Sequence, residues 1–296
     1  VKVDFIGFHG QTIFHSAKEK ISKQLGDGKL LSKLTKKTVV YNFRQNDLKN
    51  GGEGAPLTPI FHNLLVNQNK IELPVIILNI GGIANITCID HKKNISSYDV
   101  GPGNCLIDEW IRFNSKNKVK YDKNGKIAQS GKTNLKILKK VIKKFKKLED
   151  QNQLSFDVRD FDLSIARSLS LKNGAATLTD CTSQFLAQAI NNELDLIIND
   201  SLESKEKNFA GCRILICGGG RKNKILMKLI KKNIHKTFFM AIDKFEPIDI
   251  YDIDGDFIES QAFAYLAIRS YLKLPIYFPA TTGVLRPCSG GMICKN

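Results

Sequence analysis

Among the residues able to do chemistry, three glycine-bearing turns stand out, each at the end of an apolar run: Gly81-Gly82, Gly101-Pro102-Gly103-Asn104 and Gly218-Gly219-Gly220. Glycine lets a backbone approach a ligand closely or take a positive φ. Free N–H groups in such turns make concave anion sites, and a helix beginning after one adds its positive end. Neither GxxxxGK[ST] nor GxGxxG occurs in the chain, so the two commonest phosphate fingerprints are absent. Three such turns after strands of one α/β chain point instead to a nucleotide crevice at the carboxyl ends of the strands.

Asp99 lies just before the second turn. A carboxylate there can meet a substrate while the loop amides hold a phosphate. Phosphoryl transfer needs a base near the nucleophile and electrostatic clamping of the phosphates, and a placed base is worth about 10²–10⁴-fold. Spacing alone serves a second reading equally well, in which Asp99 caps the turn and Asn104 caps the helix after it. Asp256 and Glu259 (GDFIES) stand where acids favour a helix amino terminus. Arg44 and Asp47 are either a surface ion pair or, if Arg44 faces a cleft, a fork for a carboxylate or phosphate. His9 is either structural or a donor to a sugar oxygen. No spacing of His, Cys and carboxylates makes a metal site.

These residues need elements to hold them. Apolar and β-branched runs predict strands over 1–8, 37–43, 73–80, 83–89, 95–100 and 213–217. The run at 73–80 is continuously apolar, as in a strand buried on both faces, and Gly81-Gly82 reads as a hairpin turn. His9 to Thr12 reads as a loop, and a loop also carries Gly51, Gly52 and Gly54. Helices are expected around 58–67, 105–113, 134–150, 173–200, 222–236 and 258–272. In 134–150, Leu135, Leu138, Ile142 and Phe145 make the apolar stripe and lysines the solvated face. Strands alternating with helices indicate an α/β protein.

At 296 residues the chain has room for two lobes, and no apolar run reaches the roughly 20 residues of a membrane span. The formal net charge of +16 raises nucleic acid as a partner. The lysines sit on amphipathic helices, however, and no aromatic-rich basic stripe accompanies them. Seven dispersed cysteines without a CxxC pair fit a reducing cytoplasm. The first residues, VKVDFIG, carry no signal-peptide pattern and read as a strand entered partway.

Taken in order, HGQTIFH (9–15), NFRQNDLKNGGEGAPLTPIFH (42–62), LNIGGIANIT (78–87), YDVGPGNCLID (98–108), NGAATLT (173–179), ICGGGRKN (216–223), GDFIESQAFAYLA (255–267) and TTGV (281–284) resemble the anhydro-N-acetylmuramic acid kinase family. The resemblance implies a two-lobed actin-like (ribonuclease H-like) sugar kinase fold whose first lobe is incomplete here. Residues 1–66 would be a remnant of the amino-terminal lobe, to which about 268–296 returns, and 67–267 the carboxyl-terminal nucleotide-binding lobe. It implies ATP with Mg2+, and hydrolytic opening of 1,6-anhydro-N-acetylmuramic acid coupled to phosphorylation at O6. By the same resemblance Asp99 is the base for the ring-opening water and Glu259 a second acid. His9, Gln11, Arg44 and Asp47 line the sugar. Gly81, Gly82, Gly101, Gly103, Asn104, Gly218, Gly219, Gly220 and Asn223 hold the nucleotide. The implied setting is a cytoplasmic protein that meets neither membrane nor nucleic acid, with a homodimer as one option.

Departures from the family pattern sharpen the expectations. Its SGTSxDG phosphate loop does not occur in the chain, so a longer gene product is expected to supply it, and this exact chain is expected to turn over slowly or not at all. Glu53 stands where the family has Gln, and Val158 where it has Arg, with Arg159 a substitute. The competing readings are a truncated homologue that only binds nucleotide or sugar, and a related kinase of other specificity.

Overall fold

A computed structural model of the protein describes residues 3–149, 163–203 and 211–295. The family comparison at Val158 and Arg159 falls outside the described residues. The elements begin with β1 (Phe5–Phe8), β2 (Gln11–Ser16), β3 (Ile21–Leu25), α1 (Gly28–Thr35), β4 (Thr38–Tyr41), α2 (Gln45–Lys49) and α3 (Pro59–Gln68). They continue with β5 (Val75–Ile80), β6 (Ile83–Ile89), β7 (Ile95–Pro102), α4 (Cys105–Asn114), α5 (Lys126–Gln129), α6 (Leu135–Glu149) and α7 (Leu171–Glu203). The remainder is β8 (Cys212–Cys217), α8 (Lys224–Asn233), β9 (Ile242–Pro247), α9 (Ile258–Tyr271), α10 (Pro279–Thr282) and β10 (Met292–Cys294).

The strands form a three-stranded sheet in the order β1-β4-β10, the hairpin β2-β3, and a five-stranded sheet in the order β7-β6-β5-β8-β9. β5 is apolar throughout because both its faces are covered. Ile76, Leu78 and Ile80 pack with α4, α6, α7 and α8, while Val75 and Ile77 pack with α3 and α9. α9 lies between the two sheets. Ile258 and Ala262 face the larger sheet, and Phe263, Leu266 and Ala267 join the core over Val40 of the smaller one. The α/β class expected from the sequence is what the chain adopts. No helix among the described residues is long and apolar enough to cross a membrane.

Several expectations are corrected. Gln11 and Thr12 open strand β2 rather than a loop, in a hairpin whose exposed residues mask any apolar run. In α6 the buried stripe is Leu138, Val141 and Phe145, and Leu135 is 66% exposed in the first turn. β9 (IDKFEP) has no apolar run, because it is the sheet's edge and carries charges and a proline there.

Candidate active site

Asp99 owes its position to a bulge. The β6–β7 register pairs Ala84 with Gly101 but Asn85 with Asp99, leaving Val100 as the extra residue of β7. Such bulges re-aim neighbouring side chains. Val100 packs into the core on one face, and Asp99, 8% exposed, lines a cleft of about 430 Å³ on the other. Across that cleft stand Gln11, Arg44, Thr58 and Glu259, with Gly81 and Gly82 at its rim. Glu259 is exposed in the first turn of α9. An adjoining cavity adds His9 and Gly10 to Gln11, Arg44 and Glu259.

Arg44 is held from two sides. Its Nη1 donates to the Gly54 carbonyl at 2.6 Å, and its Nε and Nη2 donate to His9 Nε2 at 3.2 and 3.0 Å. His9 Nδ1 in turn donates to the Gly10 carbonyl at 2.8 Å. An imidazole that accepts at one nitrogen and donates at the other is neutral. Burial, and then the Arg44 charge, bring His9 down to about 4. His9 is therefore a brace for Arg44. Burial also lowers Arg44, while the carboxylates of Glu259, Asp99 and Asp47 counter that effect.

Asp47 does not line the cleft. It is fully buried in α2, accepting from the Gly54 amide at 2.6 Å and from Thr282 Oγ1 at 2.7 Å. Burial raises its carboxyl. A Cβ on Gly52 would lie 2.2 Å from its Oδ2, so the glycine-rich loop 51–54 is wrapped around this side chain. Asp47 thus shapes the loop whose Gly54 carbonyl holds Arg44, and its burial rules out a surface ion pair. Asp256 is likewise a framework residue, paired with Arg221 at 2.6 Å and with Lys222.

The glycine turns divide into different tasks. The turn at 101–104 is clasped to Gly81-Gly82, with Gly103 N donating to Gly82 O at 2.9 Å and Asn104 N to Gly81 O at 2.8 Å. Asn104 Nδ2 donates to the Ile80 and Gly81 carbonyls at 3.1 Å, so its side chain ties the turns together instead of capping α4. Thr182 of α7 anchors Gly103 through its carbonyl at 3.2 Å. Gly218 has φ +76° and no room beside Asn79 and Ile80, and Gly220 packs on Ile80. Gly82 and Gly219 differ. Neither has a positive φ, and a Cβ on either would meet nothing within 4 Å. The protein's own packing therefore leaves the space above both turns clear for close approach.

Gly219 borders a second cavity, of about 490 Å³, with Asn104, Asp108, Tyr121, Asp122 and Asn223. Asn223 Oδ1 caps α8, accepting from Ile225 N at 3.2 Å and Leu226 N at 3.1 Å. Burial pushes the Asp108 carboxyl up to about 6, with Asp122 adding to the rise and Arg112 opposing it. The Gly81–Gly82 and 101–104 turns lie between the two cavities, with Asn104 on the far side and Gly81 on the near one. Asn79 and Asn85, not among the residues expected from the sequence, also line the cleft. Their signal is an asparagine inside an otherwise apolar strand, facing the same way as Asp99.

A mixed α/β scaffold with two carboxylates, a braced arginine and open glycine turns between two cavities has the make-up of a small-molecule phosphotransferase. The model of the family described as anhydro-N-acetylmuramic acid kinase matches residues 1–296. An anhydro-N-acetylmuramic acid kinase of Pelagibacter ubique (strain HTCC1062) is 54% identical over 298 residues, covering 100% of this chain and 75% of the relative. Kinases of the same name from Zymomonas mobilis and Brucella canis are 37% and 34% identical, each covering 98% of this chain and 73% of the relative. Among solved structures, an activator of 2-hydroxyisocaproyl-CoA dehydratase from Clostridium difficile with bound ADPNP aligns at TM-score 0.37 and 14% identity, covering 70% of this chain and 63% of that one. The chain belongs to the anhydro-N-acetylmuramic acid kinase family.

Proposed function

We propose that the full-length protein uses ATP to convert 1,6-anhydro-N-acetylmuramic acid and water to N-acetylmuramic acid 6-phosphate, with this cleft as its site. The observation that carries the reading is Asp99, a nearly buried carboxylate on the cleft floor beside open glycine turns. In this reading Asp99 takes a proton from water as the water oxygen bonds to the anomeric carbon. The C1–O6 bond breaks, its electron pair goes to O6, and O6 attacks the γ-phosphorus with ADP as leaving group. Arg44, within electrostatic reach of Asp99 and Glu259, offers its remaining N–H donors to the sugar's carboxylate. Glu259 is the second acid at the sugar.

The nucleotide is assigned across the two glycine turns, phosphates over Gly82 and Gly219, with adenosine in the cavity beside Asp108. The clear space at these glycines supports the assignment. Mg2+ commonly rides on substrate phosphates with one or two carboxylates. Among the described residues no group of three or more His, Cys, Asp or Glu forms a cage, so Mg2+ enters this reading as the companion of ATP with no residue assigned. A cytoplasmic setting is part of the proposal, supported by seven unpaired cysteines. The test is a coupled assay on the full-length protein with anhydro sugar and Mg-ATP. ADP and sugar phosphate should form one to one; ADP release without sugar phosphate would sink the reading.

A further inference from the structure

Beneath Asp99 the cleft floor carries polar side chains that the proposed reaction leaves unused. In the β6–β7 ladder Asn85 stands opposite Asp99, and Thr87 opposite Ser97. Side chains two apart on a strand share a face, so these four point the same way, toward α3. One turn apart, Thr58 at the cap of α3 and His62 within it lie over that face.

Hydrogen-bond directions here are determined. His62 Nδ1 lies 2.8 Å from Thr87 Oγ1, which lies 3.2 Å from Ser97 Oγ, and Ser97 donates to the Ile86 carbonyl at 2.6 Å. Each hydroxyl has a single proton. With the Ser97 proton on Ile86, Thr87 donates to Ser97, and His62 donates from Nδ1 to Thr87. Burial keeps the ring neutral, lowering His62 to about 4. Its Nε2 is therefore a bare acceptor, sealed from solvent with no partner among the described residues. Thr58 Oγ1 and Asn85 Oδ1 are buried and unpartnered in the same way, and both residues line the cleft with Asp99. Buried polar atoms are rarely left without a hydrogen bond. Two acceptors and one hydroxyl are the complement of a water molecule, which has two protons to give and a lone pair to take one.

We propose that Thr58, His62 and Asn85 form a water-binding well in the cleft floor that positions the ring-opening water against Asp99. The inference rests on the reaction proposed above. The well water is a fixed hydrogen-bond partner behind the attacking molecule, directing one of its protons to Asp99 and its lone pair to the anomeric carbon. The three side chains are positioning residues, since they act through the held water.

Two measurements on the full-length protein decide it. A high-resolution crystal structure should show ordered water within about 3 Å of His62 Nε2 and Asn85 Oδ1. Thr58→Val removes only the hydroxyl, and Thr58 makes no side-chain capping bond that α3 would lose. This variant should lower kcat about tenfold, with sugar KM and melting temperature unchanged, and Thr58→Ser should restore the rate. Finding the three atoms bonded to protein groups, or Thr58→Val turning over like wild type, overturns the proposal. Should the wild type itself fail to open the anhydro sugar, the assigned reaction falls, and the water density alone then decides the well.

Discussion

Acidification should expose His62 as a stability sensor. Its folded value of about 4 lies below the ordinary 6.5, so the unfolded chain takes the proton first. The stability tied to the neutral ring is intact above about pH 6.5 and drains away as pH falls toward about 4. Between pH 7 and 5 this single group should cost about 2 kcal/mol, from 1.36 kcal/mol per unit of proton-binding difference integrated over that window. Buried carboxyls work in the opposite sense. Asp108, raised to about 6, favours the folded state as pH falls, so the wild-type curve alone is not diagnostic. The informative quantity is the difference between His62→Gln and wild type in urea unfolding at pH 7, 6 and 5, in which the shared groups cancel. Glutamine can still donate to Thr87. The variant should gain about 2 kcal/mol on wild type between pH 7 and 5. Parallel curves would mean that His62 is charged or solvated in the folded protein.

Other perturbations separate framework from site. Gly82→Ala and Gly219→Ala should leave the melting temperature within a degree or two and weaken ATP binding about tenfold or more by calorimetry, because the added methyl meets nothing in the protein. Gly218→Ala should instead destabilise the fold, since φ is +76° and the methyl would lie 2.5 Å from Asn79 Oδ1. Asp47→Ala should cost about 2–4 kcal/mol in unfolding experiments by freeing Gly54 and Thr282. It should also weaken sugar binding through the loosened Arg44.

What could be read in the residues was whatever local pattern encodes. Apolar runs ending in glycine mark β5 and β8, whereas Asp99, expected near a strand end, lies inside β7, which continues through Pro102. The blocks of family resemblance carried the rest of the assignment. Long-range partnerships were not legible. Asp47 looks like a site residue in NFRQND, and its partner Thr282 is 235 positions away. Asn85 and Thr58 matter through cross-strand register and helix placement, neither of which a linear pattern displays. The β2–β3 hairpin escaped because its half-exposed strands alternate weakly. Asn104 showed that an asparagine before a helix need not cap it when carbonyls of a neighbouring turn compete for its amide.

Replacing a single carboxylate probes the chemistry most directly. Asp99→Asn in the full-length protein keeps the side chain's shape and removes its basicity. Steady-state turnover of 1,6-anhydro-N-acetylmuramic acid with Mg-ATP should fall by about 10²–10⁴-fold, with ATP affinity and melting temperature held. Wild-type turnover in this variant would contradict the placement of the ring-opening base at Asp99.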